Sequence, residues 1–142
     1  MGGWKRIGCA VDFSDGSRAA LAEATDLARR FEADLVLLHA EEMPGVTDIP
    51  PPASVIASTR AELQGRLEDW RAEVEAVLGR PVRASLLPGP AAQAIARAAG
   101  EERLDLLVTG THGRRGFRHL VLGSVAERLV HLSPCAVLVI RA

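Results

Sequence analysis

A chain of 142 residues with 17 basic and 18 acidic side chains, a formal net charge of −1, is one domain's worth of polypeptide and carries no global field to draw it to nucleic acid or anionic lipid. No run approaches the ~18 apolar residues needed to cross a bilayer, and the first residues lack a charged-then-apolar leader, so a cytoplasmic protein with a single domain over residues 1–142 is expected. Cys9 and Cys135 lie in apolar surroundings without Cys-x-x-Cys or metal spacing and read as two buried small hydrophobes.

In chain order, Ile7 to Val11 is a nearly continuous apolar run ending at Asp12, which suits a strand buried on both faces. Ser14 or Ser17 can then cap a helix whose apolar positions Ala20, Ala24, Leu27, Ala28 and Phe31 follow helical spacing. Leu35 to Leu38 reads as a second strand leading to His39 and Ala40, completing a parallel crossover unit. Residues Glu41 to Pro52, with Pro44, Gly45, Pro50, Pro51 and Pro52, read as a surface loop or lid. Ile56, Leu63, Leu67, Trp70, Val74, Val77 and Leu78 trace one face of a long amphipathic helix that stops at Gly79, with Trp70 a packing residue.

Val82 to Leu87 forms a third strand, followed by Pro88-Gly89-Pro90 and a short alanine-rich helix with Ile95 inward and a stop at Gly100. Leu104 to Thr109 is a fourth strand that runs into glycines. The last helix starts at Ser124 with Val125, Leu129 and Leu132 on one face, and Pro134 ends it before the final strand, Ala136 to Ile140. Five apolar strands alternating with four helices call for an α/β fold: a Rossmann-like, doubly wound parallel sheet covered on both sides. Ligands of such sheets sit beyond the carboxyl ends of the strands, here Asp12 and Gly110.

Between the fourth strand and the last helix the sequence reads Gly110-Thr111-His112-Gly113, nine further residues, then Gly123-Ser124. Neither a Walker loop nor a dinucleotide fingerprint is present, so the glycines must serve differently: Gly110 and Gly113 where the chain leaves the strand, Gly123 where phosphate oxygens reach amides at a helix start. Ser124-Val125-Ala126-Glu127 also reads as a capping box, with Ser124 bonding the Glu127 amide. His112, Arg114, Arg115, Arg118 and His119 form a cationic run able to neutralise a polyphosphate, from which Arg114 joins the candidate set.

The Gly-x2-Gly-x9-Gly-Ser pattern, complete here, resembles the nucleotide-binding branch of the universal stress protein family, as does Val11-Asp12-Phe13-Ser14. The resemblance implies strand order 3-2-1-4-5 and ATP with Mg2+ as cofactors. It gives Asp12 the ribose or the metal, Ala40 the adenine through its main chain, and the motif residues Gly110, Gly113, Gly123 and Ser124 the phosphates; Thr111 and Val125 beside them, and Arg114 from a cationic run in which the sequence does not single out one arginine, complete the candidate nucleotide-binding set. Relatives present a Gly, an acidic or polar residue and then Pro after the third strand; here Gly89 stands in that loop as the residue for close approach. The implied function is a nucleotide-dependent stress sensor or regulator. Its alternatives are a slow ATPase or autophosphorylating enzyme, with Ser124 or Thr111 as acceptor, and a nucleotide-free interaction module. Ala136 to Ile140 lacks protective charges or proline and would be a sheet edge in that order, which points to a homodimer through the fifth strand.

Overall fold

The computed structural model describes residues 3–42, 50–111 and 122–141. Its elements run β1 (Arg6–Ala10), α1 (Asp15–Phe31), β2 (Asp34–Glu41), α2 (Ala53–Leu78), β3 (Arg83–Pro88), α3 (Ala91–Glu101), β4 (Leu106–Gly110), α4 (Ser124–Leu132) and β5 (Ala136–Ile140). The strands form one parallel sheet in the order β3-β2-β1-β4-β5, as expected. Reversal of the winding direction at β1 puts β1 beside β4 and opens a crevice past their carboxyl ends.

Each face of the sheet carries its own core because side chains alternate along a strand. Ile7, Cys9, Leu35, Leu37, Leu106 and Val108 pack with Ala20, Leu21, Ala24 and Ala28 of α1 and Leu67 and Val74 of α2. Val36, Leu38 and Leu107 pack on the other side with Ile95, Ala98 and Ala99 of α3 and Leu129 of α4. Burial pushes the Cys9 thiol far above its ordinary pKa, so Cys9 acts as a small hydrophobe; Cys135 is half-buried beside the Ser133 hydroxyl. At the opposite end of the sheet from the crevice, the Asp105 carboxylate accepts the amides of Lys5 and Arg6, and Arg80 donates to the carbonyls of Ala28 and Ala33.

Several local expectations change. β2 runs on through His39, Ala40 and Glu41, because β3 continues to pair with it as far as Glu41 opposite Pro88, so Glu41 does not belong to the loop. Residues 43–49 of that loop lie outside the described residues. On α2 the apolar face turns inward only over its second half: Leu67 and Val74 are buried, whereas Val55 and Val77 stand 50% and 61% exposed. Val77 lies off the 63-67-70-74-78 stripe, and in the first half of the helix Ile56 and Leu63 are only partly covered while their neighbours are exposed. On α4 the buried pair is Ala126 and Leu129, while Val125 and Leu132 are 36% and 47% exposed. This short helix rests at one margin of the sheet, so a single line of side chains reaches the core. Gly100 lies inside α3, and Arg103 supplies the left-handed residue beyond it.

Gly110 has a packing reason that sequence alone did not supply. A Cβ there would stand 2.9 Å from both the carbonyl carbon and the oxygen of Gly16, so the end of β4 and the first turn of α1 meet backbone to backbone. Gly65, by contrast, faces open space on α2. Gly110→Ala is expected to cost about 1–3 kcal/mol by forcing β4 from α1, and Gly65→Ala to gain about 0.5–1 kcal/mol from helix propensity. Urea unfolding measures both, and equal midpoints would contradict the close approach.

Candidate functional site

The crevice begins where β1 ends. The Val11 amide donates to the Leu38 carbonyl at 2.9 Å, after which the chain leaves the sheet. Phe13 then takes a left-handed backbone, φ 65, and α1 begins with Ser14 as N-cap, its side chain accepting the Ser17 amide at 3.2 Å. Asp12 is woven into this turn: its Oδ1 accepts the Ser14 amide at 3.0 Å and the Ser14 hydroxyl, and its own amide donates to Ser17 Oγ at 3.2 Å. The turn gives Asp12 a helix-start role and at the same time fixes its carboxylate at the carboxyl end of β1.

Across the crevice, β4 ends at Gly110 against Gly16. Buried Thr111 continues the ladder by donating its amide to the Ile140 carbonyl at 3.0 Å, and its carbonyl accepts the Gly123 amide at 2.6 Å. That bond clasps the end of β4 to the start of α4. Gly123, extended at φ −60 and ψ 157, is the N-cap, and the first bond inside the helix runs from the Glu127 amide to the Gly123 carbonyl at 3.0 Å. One expectation is corrected by this geometry. Ser124 is the first helical residue and not the cap, so the capping box does not form; the bond from Thr111 fixes Gly123 in the cap position one residue earlier. The amide of Gly123 itself is taken up by Thr111, leaving the donors of Ser124, Val125 and Ala126 as those without an acceptor inside the helix. These N–H groups, with the positive end of the helix dipole, suit an anion.

The third side is built by β2 and the β3–α3 turn. Because the Leu38 carbonyl faces β1, the two-residue alternation points the main-chain groups of Ala40 the same way, into the space beyond the end of β1. Gly89 adopts φ 106 and donates its amide to the Glu41 carbonyl at 3.4 Å, so its glycine identity answers to backbone conformation. Glu42 reaches over the same turn to accept the Ala91 amide at 2.9 Å, capping α3 where Pro90 offers no side-chain acceptor. Buried Glu41 pairs with Arg60 Nε at 3.0 Å and ties the outer half of α2 to the sheet.

Of the candidate residues, Asp12, Ala40, Gly89, Gly110, Thr111, Gly123, Ser124 and Val125 gather around the carboxyl ends of the strands, linked in sequence by the contacts above. Gly113 and Arg114, with His112, Arg115, Arg118 and His119, lie outside the described residues. Sequence reasoning missed Gly16, Glu41 and Glu42. A glycine in the first turn of a helix was a signal for Gly16, whereas the two glutamates act on partners far along the chain. His39 braces the turn, with Nδ1 2.7 Å from the Val11 carbonyl; a carbonyl only accepts, so this nitrogen carries the proton.

The model of the Universal stress protein family matches residues 3–141. A universal stress protein of Thermus aquaticus is 37% identical over 139 residues, covering 97% of this chain and 99% of the relative. Among solved structures, a protein from the same family from Burkholderia pseudomallei is 31% identical with a TM-score of 0.78, covering 97% of this chain and 96% of the other. A universal stress protein family protein of Arabidopsis thaliana with AMP bound shares the fold at 17% identity and a TM-score of 0.67, covering 96% of this chain and 91% of that one.

The two serines at helix starts should behave differently on truncation. Ser14→Ala removes a formed cap and is expected to cost about 1 kcal/mol, whereas Ser124→Ala should change stability by less than about 0.5 kcal/mol. Equal losses in urea unfolding would restore Ser124 as a cap.

Proposed function

Given that the chain belongs to the universal stress protein family, we propose that it binds an adenine nucleotide, ATP with Mg2+, in the crevice beyond β1 and β4, and acts as a cytoplasmic nucleotide-dependent regulator of a stress response. The observation that carries this reading is the clasp between Thr111 and Gly123, which holds the start of α4, with its donors that lack acceptors inside the helix, against the end of β4. In this reading the amides of Ser124 and Val125 and the Ser124 hydroxyl, released from capping, bind phosphate oxygens together with Thr111, Gly113 and Arg114. Ala40 meets the adenine through its main chain and Gly89 allows the ligand close to the third turn. AMP bound to the Arabidopsis relative supports the choice of an adenine nucleotide.

Among the described residues no group of three or more His, Cys, Asp or Glu side chains could cage a metal. That fits Mg2+ held mainly by phosphates and water with one carboxylate, Asp12, since magnesium keeps most of its hydration and commonly takes only one or two protein oxygens. Asp12 would supply a hard oxygen ligand or accept from the ribose.

We also infer that two copies associate through β5. Among the described residues this strand is a sheet edge, paired with β4, and Leu122, Val125, Val130 and Leu132, at the start of and along the preceding helix α4, are exposed apolar side chains. Antiparallel pairing of β5 with its own copy would satisfy both open edges through a two-fold contact.

ATP with Mg2+ is expected to raise the melting temperature: at about 100 times its Kd a ligand of the native state contributes about 2.7 kcal/mol, several degrees in a chain of this size. Gly123→Val should abolish the shift while the protein stays folded; equal shifts in both proteins would remove the phosphate site from α4. For the assembly, Leu138 and Ile140 pack on one core and Val137 on the other, so Val139→Lys adds an edge charge with the least damage. Sedimentation should give a dimer for the wild type at micromolar concentration and a monomer for the folded variant; a wild-type monomer would overturn the interface.

A further inference from the structure

One imidazole braces both neighbours of Asp12. His39 Nδ1 donates to the carbonyl of Val11 at 2.7 Å, and the ring of His39 packs on Phe13 with centroids 4.6 Å apart. Phe13 occupies the left-handed region, φ 65, which an aromatic side chain rarely adopts and which persists only where the surroundings over-determine it. Here they do. Trp70 of α2 meets the Phe13 ring edge-on, centroids 5.2 Å apart at 89°, and the Arg66 guanidinium lies 4.4 Å from its centroid. Arg18 of α1 in turn covers Trp70 at 3.9 Å and reaches Glu73, so the stack joins both helices of this face.

A helix start does not require this bend, since Ser14 already caps α1. The left-handed step at residue 13 is what folds the chain so that Asp12 Oδ1 meets the Ser14 amide and the Asp12 amide meets Ser17 Oγ. We propose that Phe13 is a positioning residue: clasped by His39, Trp70 and Arg66, it holds the Asp12 carboxylate in the orientation that meets the nucleotide, and so couples ligand binding to α2. The inference rests on the nucleotide reading above.

The chain contains two tryptophans, and Trp4 packs on Phe31 away from this stack, so Trp4→Phe leaves Trp70 as the sole reporter. Titration of that protein with ATP and Mg2+ should change Trp70 emission. In calorimetry, Phe13→Leu should stay folded and weaken ATP binding about tenfold or more, in line with the loss of groups that orient a ligand, whereas Phe13→Tyr, which keeps the ring, should bind as wild type. Adding Phe13→Leu to Asp12→Asn should cause no further loss, because both changes remove one interaction. Should Phe13→Leu not fold, Trp70→Leu tests the same clasp from α2 and is expected to weaken binding likewise. Wild-type affinity in a folded Phe13→Leu protein, losses that multiply independently of Asp12, or Trp70 emission unmoved at saturating ATP would each overturn the proposal and leave the nucleotide reading standing. A wild-type protein that binds no ATP in calorimetry would overturn both.

Discussion

The contact on which the site depends is the meeting of two bare backbones, Gly110 at the end of β4 and Gly16 in the first turn of α1. A helix that starts so close to a strand end brings its amino-terminal dipole and the Asp12 turn up to the crevice instead of leaving them beside it. Thr111 can then clasp Gly123, and the start of α4 arrives beside that of α1. Two helix N-termini therefore converge on one crevice from opposite faces of the sheet. That convergence concentrates positive potential in a chain whose formal charge is close to zero.

The fold was legible because its strands are short apolar runs with turn residues between them, and a parallel sheet buried on both faces demands that pattern. Ile7 to Val11 and Ala136 to Ile140 each predicted a strand within about one residue of its observed bounds, within the ordinary spread of boundary assignment. Helix faces were less legible. Val125 and Leu132 share helical spacing with Leu129, yet α4 rests at a margin of the sheet and buries only Ala126 and Leu129. Periodicity reports which residues could face a core, and the position of the helix on the sheet decides how many of them find one.

The site divides in the same way. Asp12, Gly89, Gly110 and Gly123 were readable as residues at strand ends and helix starts, which leave local marks in sequence, whereas the backbone approach of Gly16 to Gly110 was not. The cap of α4 was displaced by one residue because the Gly123 amide is bonded by Thr111, a partner beyond the reach of a four-residue capping motif. Glu42 on the Ala91 amide and His39 on the Val11 carbonyl lie 49 and 28 residues from their partners, and neither pairing has a sequence signature. Polar groups of this kind complete the satisfaction of main-chain donors and acceptors, which topology demands without naming the side chain that will do it.

Helix α2 carries a gradient along its length. Around Leu67 and Val74 it is locked into the core, while from Ala53 to Gln64 it presents mostly exposed side chains and is tied to the sheet by the Arg60–Glu41 pair. Free energies of local opening follow buried contact, so amide protection should be greatest near Leu67 and Val74 and decline turn by turn toward Ala53. One continuous helix thus combines a segment that opens only with the whole fold and a segment that can fray while the sheet remains intact, and the boundary between them falls close to Arg66, where α2 grips Phe13.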